Sequence, residues 1–194
     1  MQVKPRERLI ETAITLFASE GFHATGIDRI LAEAGVAKMT LYRHFRSKDD
    51  LILAALDRHW LVFRHWLEER LAACPATPGP TIETLFDGLA AWQRGQTLQE
   101  IRFQGFLPIH AAGEFGASDH PIHRAAAAQI QSLTTLLDAA SQRVGIDAVA
   151  AAQMGLLVVG ALTIAHIQSD GRAFEIARHS ALTLAQSHPA PLPA

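Results

Sequence analysis

Residues 25–48 read TGIDRILAEAGVAKMTLYRHFRSK, and this stretch decides the fold because it predicts two short helices joined by a tight turn. In its first half, apolar side chains recur at the i, i+3, i+4 and i+7 positions of one helix face, at Ile27, Ile30, Leu31 and Ala34. Thr25, with Asp28 three residues later, predicts a capping box at the start of this helix. Gly35 predicts a left-handed cap at its end. The first helix therefore has a defined start and a defined end.

The second helix is predicted over Lys38–Phe45, directly after the turn. Leu41 and Phe45 are four residues apart and point inward, and Val36 fills the angle between the two helices. The outer surface carries hydrogen-bond donors, one apolar side chain and almost no acid, in the set Lys38, Met39, Thr40, Tyr42, Arg43 and His44. Helix, short turn, helix is the DNA-binding helix-turn-helix unit, whose second helix enters the major groove. The stretch therefore predicts a DNA-binding surface.

The candidate DNA contacts divide by their chemistry. Lys38 and Arg43 can donate to guanine O6 and N7, and Met39 can touch a thymine methyl, so these three are the candidate base readers. Hydroxyl, imidazole and ammonium donors suit phosphates, which gives the backbone candidates Thr25, Tyr42, His44 and Lys48. Two further side chains complete the candidate interface, Arg29 and Thr40.

The first sixty residues resemble the TetR (tetracycline-repressor) family of transcriptional regulators. The resemblance is carried by Phe17, Gly21, Thr25, Ile30, Ala34, Gly35, Val36, Thr40, Leu41, Tyr42, His44, Phe45, Lys48 and Leu51. Two positions depart from the family pattern. Ala37 stands where a Ser or Thr N-cap is common, which predicts a recognition helix weaker at its start by about 1 kcal/mol. Met39 stands where a small Gly is common, so the base preference does not carry over.

Charge and composition restrict the kind of protein. The chain has 194 residues, 49% of them hydrophobic, and a formal net charge of −2, so a nucleic-acid site must be a local basic patch. All three lysines lie in the first fifty residues, where eight basic residues face seven acidic ones. The single Cys74 excludes an intrachain disulfide. The N-terminus lacks a secretory apolar region, and the longest apolar run, Met154–Ala165, is shorter than a membrane span. We therefore expect a soluble cytoplasmic protein.

The rest of the chain has helical period, which predicts an all-α fold. A capping box at Ser47 and Asp50 opens a long helix. Besides the pair above, helices are expected over Pro5–Glu20, Lys48–Ala73, Thr81–Gln96, Leu98–Ala112, Pro121–Val144, Asp147–Gln168 and Arg172–Gln186. The expected organisation is a three-helix DNA-binding domain at 3–63, a helical domain at 64–188 and a disordered tail at 189–194.

The resemblance implies that the C-terminal domain binds a small-molecule effector and forms a homodimer. Candidate effector-lining residues are Phe86, Trp92, Phe103, Phe106, His110 and Met154, although helical spacing alone does not separate a pocket from ordinary core. In the family, two consecutive helices meet their copies in a four-helix interface, which assigns this role to 121–144 and 147–168. Small residues allow close approach there, and the candidates are Ala151, Gly155, Val159 and Gly160.

Other kinds of site find little support in the sequence. The loop 113–123 places Glu114, Asp119, His120 and His123 close together, which suggests a metal site, but Pro121 indicates a helix start capped by Asp119 or His120. His166 fits a core or interface residue better than a ligand. The sequence contains no GxSxG, GxGxxG, GxxxxGK[ST] or HExxH motif, so we expect neither an enzyme nor a bound cofactor or metal.

The function that these observations predict is a ligand-responsive homodimeric repressor. It would bind a pseudo-palindromic operator in double-stranded DNA and be released by a small-molecule effector. Activation or co-repression stays open, because the sign depends on which state the effector prefers. The alternative is a helical small-molecule-binding or interaction module that no longer binds DNA specifically.

Overall fold

The computed structural model describes residues 4–187, and this part of the chain folds into nine α-helices joined by turns. Their bounds are α1 Pro5–Glu20, α2 Ile27–Ala34, α3 Lys38–His44, α4 Lys48–Ala73, α5 Pro78–Gln93, α6 Leu107–Glu114, α7 Pro121–Arg143, α8 Ala148–Gln168 and α9 Arg172–Ser187. The all-α prediction is confirmed. The predicted tail, 189–194, lies outside the described residues.

Helices α1 and α2 end where glycine allows the backbone to leave the helix. Gly21 has φ +87° and its N–H donates to the carbonyl of Phe17. Gly35 has φ +60° and its N–H donates to the carbonyl of Leu31, which confirms the predicted left-handed cap. A side chain with a Cβ disfavours this conformation, so both turns depend on glycine.

Thr25 does not cap α2, so the prediction of its capping role is wrong. The N-cap of α2 is Gly26, which has no side chain to offer. Thr25 is fully buried, and its hydroxyl donates to the carbonyl of Gly21 at 2.7 Å and lies 3.4 Å from that of Leu16. The hydroxyl therefore satisfies carbonyls at the end of α1, a role that sequence spacing alone does not reveal.

The start of α4 confirms the cap predicted at Ser47. The Ser47 hydroxyl accepts from the Asp50 N–H at 3.1 Å. The Asp50 carboxylate reaches back to the Arg46 N–H at 3.0 Å, one residue before the expected partner. Two carboxylates in the first turn, Asp49 and Asp50, also suit the positive end of the helix dipole. The helix then runs to Ala73, as predicted.

The region around α5 and α6 corrects two predicted boundaries. Helix α5 begins at Pro78, three residues before the predicted start, because proline is well suited to a first turn. The helix predicted over 98–112 is wrong in its first half. Leu98 has φ +50° and Gly105 has φ +84°, neither of which a right-handed helix allows. Helix α6 begins only at Leu107, with Pro108 in its first turn.

The chain folds into two compact units. The first comprises residues 4–62 and Phe106–Gln129, and in it α1 packs against α2, α3 and α6. The second comprises Phe63–Gly105 and 130–187, and in it α5, α8 and α9 pack together. Helices α4 and α7 each contribute to both units. The domain division at residue 63 stays a prediction.

Helix α8 is the most apolar helix of the second unit. Its N-cap is Asp147, whose carboxylate accepts from the backbone N–H groups of Val149 and Ala150 at 2.7 and 3.0 Å. By length and composition alone, α8 could span a membrane. Its buried residues nonetheless pack within the second unit, as those of a core helix do, and include Ala150, Met154, Val158, Leu162 and Ala165.

A buried histidine makes the first unit sensitive to acid. His59 is 3% exposed and lies against Phe106, with ring centroids 5.6 Å apart. Burial, and secondarily the charge of His110, lower the pKa of His59 from its ordinary 6.5 to about 3. Between these two values the unfolded chain binds a proton that the folded chain does not, so stability falls as the pH falls.

We predict that lowering the pH from 7 to 5 reduces the free energy of unfolding by about 2 kcal/mol through His59 alone. His59→Leu removes this contribution. Chemical denaturation at both pH values should therefore show a smaller decrease in the free energy of unfolding than in the wild type. His65→Leu, on an exposed position of α4, keeps the full loss. An equal loss in His59→Leu and the wild type would contradict the assignment.

Candidate nucleic-acid interface

Helix α3 presents one buried face and one fully open face. Leu41 is 0% exposed and Phe45 4% exposed, so these two side chains hold the helix in the core of the first unit. On the opposite side Met39 is 87% exposed and Tyr42 51% exposed. Lys38, Arg43 and His44 are exposed beside them, and Thr40 is half-buried. The structure therefore brings six of the predicted DNA contacts onto one helix.

The basic side chains near α3 differ in how far they are already paired. Lys38 Nζ lies 3.3 Å from an Asp28 carboxylate oxygen on α2. Arg29 pairs with Glu33 at 2.8 Å and with Glu20 at 3.3 Å, and the Glu33 hydrogen bond together with the Glu20 charge raises the pKa of Arg29. These exposed pairs contribute little to stability, but they hold the Lys38 ammonium beside α2 and the Arg29 guanidinium beside the end of α1.

Arg43 differs from Lys38 and Arg29 in having no ion-pair or hydrogen-bond partner among residues 4–187. Its guanidinium is therefore a cation on α3 that a nucleic acid can meet without displacing an ion-pair partner. Arginine presents a planar fork of donors that matches guanine O6 and N7. Lys38 must first leave Asp28 before it can do the same.

Two predicted phosphate contacts lie away from the open face of α3. Lys48 is half-buried at the first position of α4, close in sequence to the end of α3. Thr25 is fully buried and its hydroxyl donates to the Gly21 carbonyl, which does not favour a phosphate contact, and that contact stays a prediction.

The start of α3 confirms the missing cap predicted at Ala37. Ala37 occupies the N-cap with extended backbone, and no side chain accepts a hydrogen bond from the first turn. The Ala37 carbonyl still accepts from the N–H groups of Thr40 and Leu41, at 2.9 and 3.3 Å. The orphan donors at the N-terminus of the recognition helix are thus left to solvent or to a ligand.

Glu114 is a residue whose role sequence reasoning missed. Its two carboxylate oxygens accept from the backbone N–H groups of Phe22 and His23, each at 2.8 Å. Among the described residues no group of three or more His, Cys, Asp or Glu side chains is arranged for a metal ion. His120 caps α7 instead, with Nδ1 accepting from the Ile122 N–H at 3.2 Å. In the sequence, Glu114 is visible only as an acidic residue where a helix meets a loop. That position alone does not identify His23, 91 residues away, as its partner.

The predicted effector residues do not fall in one compact unit. Phe106 and His110 belong to the first unit, whereas the others, Phe86, Trp92, Phe103 and Met154, belong to the second. Trp92 is fully buried, its indole N–H donates to the Ile101 carbonyl at 2.6 Å, and its ring meets Phe103 edge-on at 4.9 Å. Trp92 thus has the contacts of a core residue.

The predicted dimer residues are placed unevenly. Ala151 is 1% exposed and Gly155 is buried against Thr134 of α7, so contacts within the chain already cover both, and their place in a dimer interface stays a prediction. Val159 and Gly160 are half-buried. The open apolar surface lies along α8 and α9, as a groove of about 990 Å³. Exposed apolar side chains on these two helices are Val149, Leu156, Ile164, Ile167 and Ile176.

Known proteins resemble this chain in two ways. The family model described as bacterial regulatory proteins, tetR family, matches residues 9–55. The chain is 48% identical over 52 residues to an uncharacterized HTH-type transcriptional regulator, YerO, of Bacillus subtilis. It is also 48% identical over 54 residues to the HTH-type transcriptional activator FasR of Mycolicibacterium smegmatis. These two matches cover 27% and 28% of this chain but only 18% and 25% of the relatives.

Solved structures resemble the chain over nearly its whole length. SCO4454, a TetR-family transcriptional regulator from Streptomyces coelicolor, has a TM-score of 0.83 at 30% identity, covering 95% of each chain. A TetR transcriptional regulator from Chloroflexus aurantiacus has a TM-score of 0.78 at 25% identity, covering 95% of this chain and 96% of its own. The similarity thus extends through both compact units.

The missing cap of α3 gives a stability prediction. Ala37→Ser supplies an acceptor for the first-turn donors and should raise the free energy of unfolding by about 1 kcal/mol. Thermal unfolding should show this as a rise of roughly 2–4 °C. Ala24→Ser, at an exposed position outside any helix, is the matched control and should leave the unfolding temperature unchanged. A similar shift in both variants would refute the capping explanation.

Proposed function

The chain belongs to the TetR family of bacterial regulatory proteins, and from that premise we propose that it is a ligand-responsive homodimeric repressor of transcription. Members of this family are transcriptional regulators with a helix-turn-helix, not enzymes. The observation that carries the proposal is α3, with Leu41 and Phe45 buried while Met39, Tyr42 and Arg43 face outward. A helix held in this way can enter a major groove without losing its own packing.

Sequence preference in this proposal comes from the centre of α3. The unpaired Arg43 guanidinium donates to guanine, and Met39 supplies an apolar contact that fits a thymine methyl. Tyr42, His44 and Lys48 bind phosphates and set the register of α3 on the duplex. Lys38 reads a base once it leaves Asp28.

Dimerisation supplies the second recognition helix. The exposed apolar side chains of α8 and α9 favour a twofold interface built from these two helices rather than from α7 and α8. A groove of about 990 Å³ lined by Leu156, Ile164 and Ile176 suits a second copy of the same surface. Two α3 helices would then meet half-sites of a pseudo-palindrome, about one helical turn or a multiple of it apart.

A small-molecule effector completes the proposed cycle. The effector would bind the predicted C-terminal domain, residues 64–188, more tightly in one state of the dimer than in the other. Its binding then shifts the population between dimers that can bind the operator and dimers that cannot. Effector binding then lowers affinity for the operator and relieves repression. The family supports this logic and also a soluble, cytoplasmic location, because the DNA that such a protein regulates lies there.

The competing function is a helical binding module without specific DNA recognition. The uncapped start of α3 at Ala37 and the bulky Met39 favour it, because both depart from the family pattern at the recognition helix. DNA binding by the wild-type chain separates the two functions.

We predict that the wild-type chain selects a pseudo-palindrome from random duplex DNA. Arg43→Ala should weaken binding to the selected site by about tenfold or more while changing non-specific binding much less. Tyr42→Phe and Lys48→Ala should weaken binding to all sequences, and Lys48→Ala should reduce the slope of log K against log salt by about 1. Fluorescence anisotropy across a salt series measures both effects. Uniform loss in every variant would reject this division of roles.

The dimer face gives a separate prediction. Leu156→Asp should weaken self-association by about a hundredfold, because the twofold axis places a desolvated carboxylate in the interface twice. Sedimentation velocity should then show a monomer where the wild type sediments as a dimer. Leu61→Asp, an exposed leucine of α4 outside the groove, is the control and should remain dimeric. A dimeric Leu156→Asp would place the interface elsewhere.

A further inference from the structure

The Glu114 carboxylate binds the turn between α1 and α2 through both of its oxygens. Oε1 accepts from the Phe22 N–H at 2.8 Å and Oε2 from the His23 N–H at 2.8 Å. The backbone carbonyl of Glu114 also lies 3.1 Å from His23 Nε2. Hydrogen bonds to an ionised acceptor are stronger than neutral ones, and here both oxygens are used. We call this contact the Glu114 clasp.

The surroundings of the clasp are built to fit it. A Cβ at Gly21 would lie 3.0 Å from Glu114 Oε1, so the glycine leaves room for the carboxylate as well as supplying φ +87°. Phe115, the next residue, packs its ring 4.7 Å from His23 and 5.8 Å from Phe22. Phe22 is fully buried and stacks on Phe17 of α1 at 4.9 Å. The polar clasp therefore lies beside an aromatic anchor that leads into α1.

The clasp lies in the part of the first unit that is connected most often to the second unit by the backbone. The backbone crosses between the two compact units three times, at 62/63, 105/106 and 129/130. Two of these crossings flank the segment Phe106–Gln129, which contains α6, and only one follows the helix-turn-helix. The clasp joins that segment to the turn directly before α2. It therefore ties the DNA-reading helices to the part of the first unit that carries most of its covalent connections.

We propose that Glu114 is a positioning residue that fixes the helix-turn-helix to α6 and so sets the spacing of the two recognition helices in the dimer. This inference rests on the proposed function, since spacing matters only for a dimer on a two-part operator. Loss of the two carboxylate hydrogen bonds leaves three ties of the helix-turn-helix, namely α4, the apolar packing and the contact of His23 Nε2 with the Glu114 backbone carbonyl. Each recognition helix then keeps its own fold but samples more positions, and a smaller fraction of dimers has the spacing that the operator demands.

The experiment compares two DNAs bound by the full chain. One is the pseudo-palindrome selected by the wild type, and the other is the same duplex with one half scrambled. Glu114→Ala should weaken binding to the full operator by about tenfold and to the half-site by less than about twofold, because only the full operator tests spacing. Amide hydrogen exchange at Phe22 and His23 should become faster in the same variant.

Two further variants make the result specific. Glu114→Gln keeps one acceptor oxygen without the charge and should fall between the wild type and Glu114→Ala. Asp119→Ala removes a carboxylate from the same loop at an exposed position and should match the wild type on both DNAs.

Three outcomes would overturn the inference. An equal loss on full operator and half-site would mean that Glu114 only supports the fold of the helix-turn-helix. Unchanged exchange at Phe22 and His23 would mean that the clasp is not formed in solution. A wild type that selects no operator would remove the proposed function and this inference with it.

Discussion

The burial of Leu41 and Phe45 is the constraint on which the DNA-binding part of the molecule depends. Helix α3 has seven residues and no N-terminal side-chain cap, and a helix that short does not persist alone in water. Its packing against α1 and α2 therefore holds it in place. Because Leu41 and Phe45 anchor the helix, the exposed side chains of α3 are not needed for its packing and are available to a ligand.

The same dependence on neighbours explains the turn before α2. Phe22 and His23 follow the end of α1, and the helix that comes next starts only at Ile27. Their N–H groups find acceptors on Glu114, while the Thr25 hydroxyl satisfies the Gly21 carbonyl on the other side of the turn. Backbone groups left without partners there would be costly. The turn is therefore held by the Thr25 side chain at its own end and by the Glu114 side chain, which lies far along the chain.

Local signals predicted local structure well, whereas backbone conformations without a periodic pattern and contacts between distant residues were not predicted. Gly35 and Ser47 act through neighbours within four residues, so their caps followed from the sequence. The helix expected from Leu98 failed because positive φ at Leu98 and Gly105 leaves no trace in apolar periodicity. The small size of Gly155 suits a close approach by any neighbour, and the neighbour that it meets within this chain is Thr134. Sequence spacing gives the face of a helix but not the identity of what covers it.

Groups of exposed apolar side chains mark the surfaces of this chain that a partner would cover. Among the described residues, eight large apolar side chains are exposed, and seven of them lie either on α3 or on α8 and α9. A scattered exposed leucine such as Leu61 needs no explanation, whereas grouping on two surfaces does. On α3 the side chains of Met39 and Tyr42 lie among exposed hydrogen-bond donors such as the Arg43 guanidinium, which suits a groove edged by phosphates. The groove along α8 and α9 is lined mainly by apolar side chains, with Arg172 and His179 among the exceptions, which suits a second copy of the same surface. Two surfaces of different chemistry thus call for two different partners.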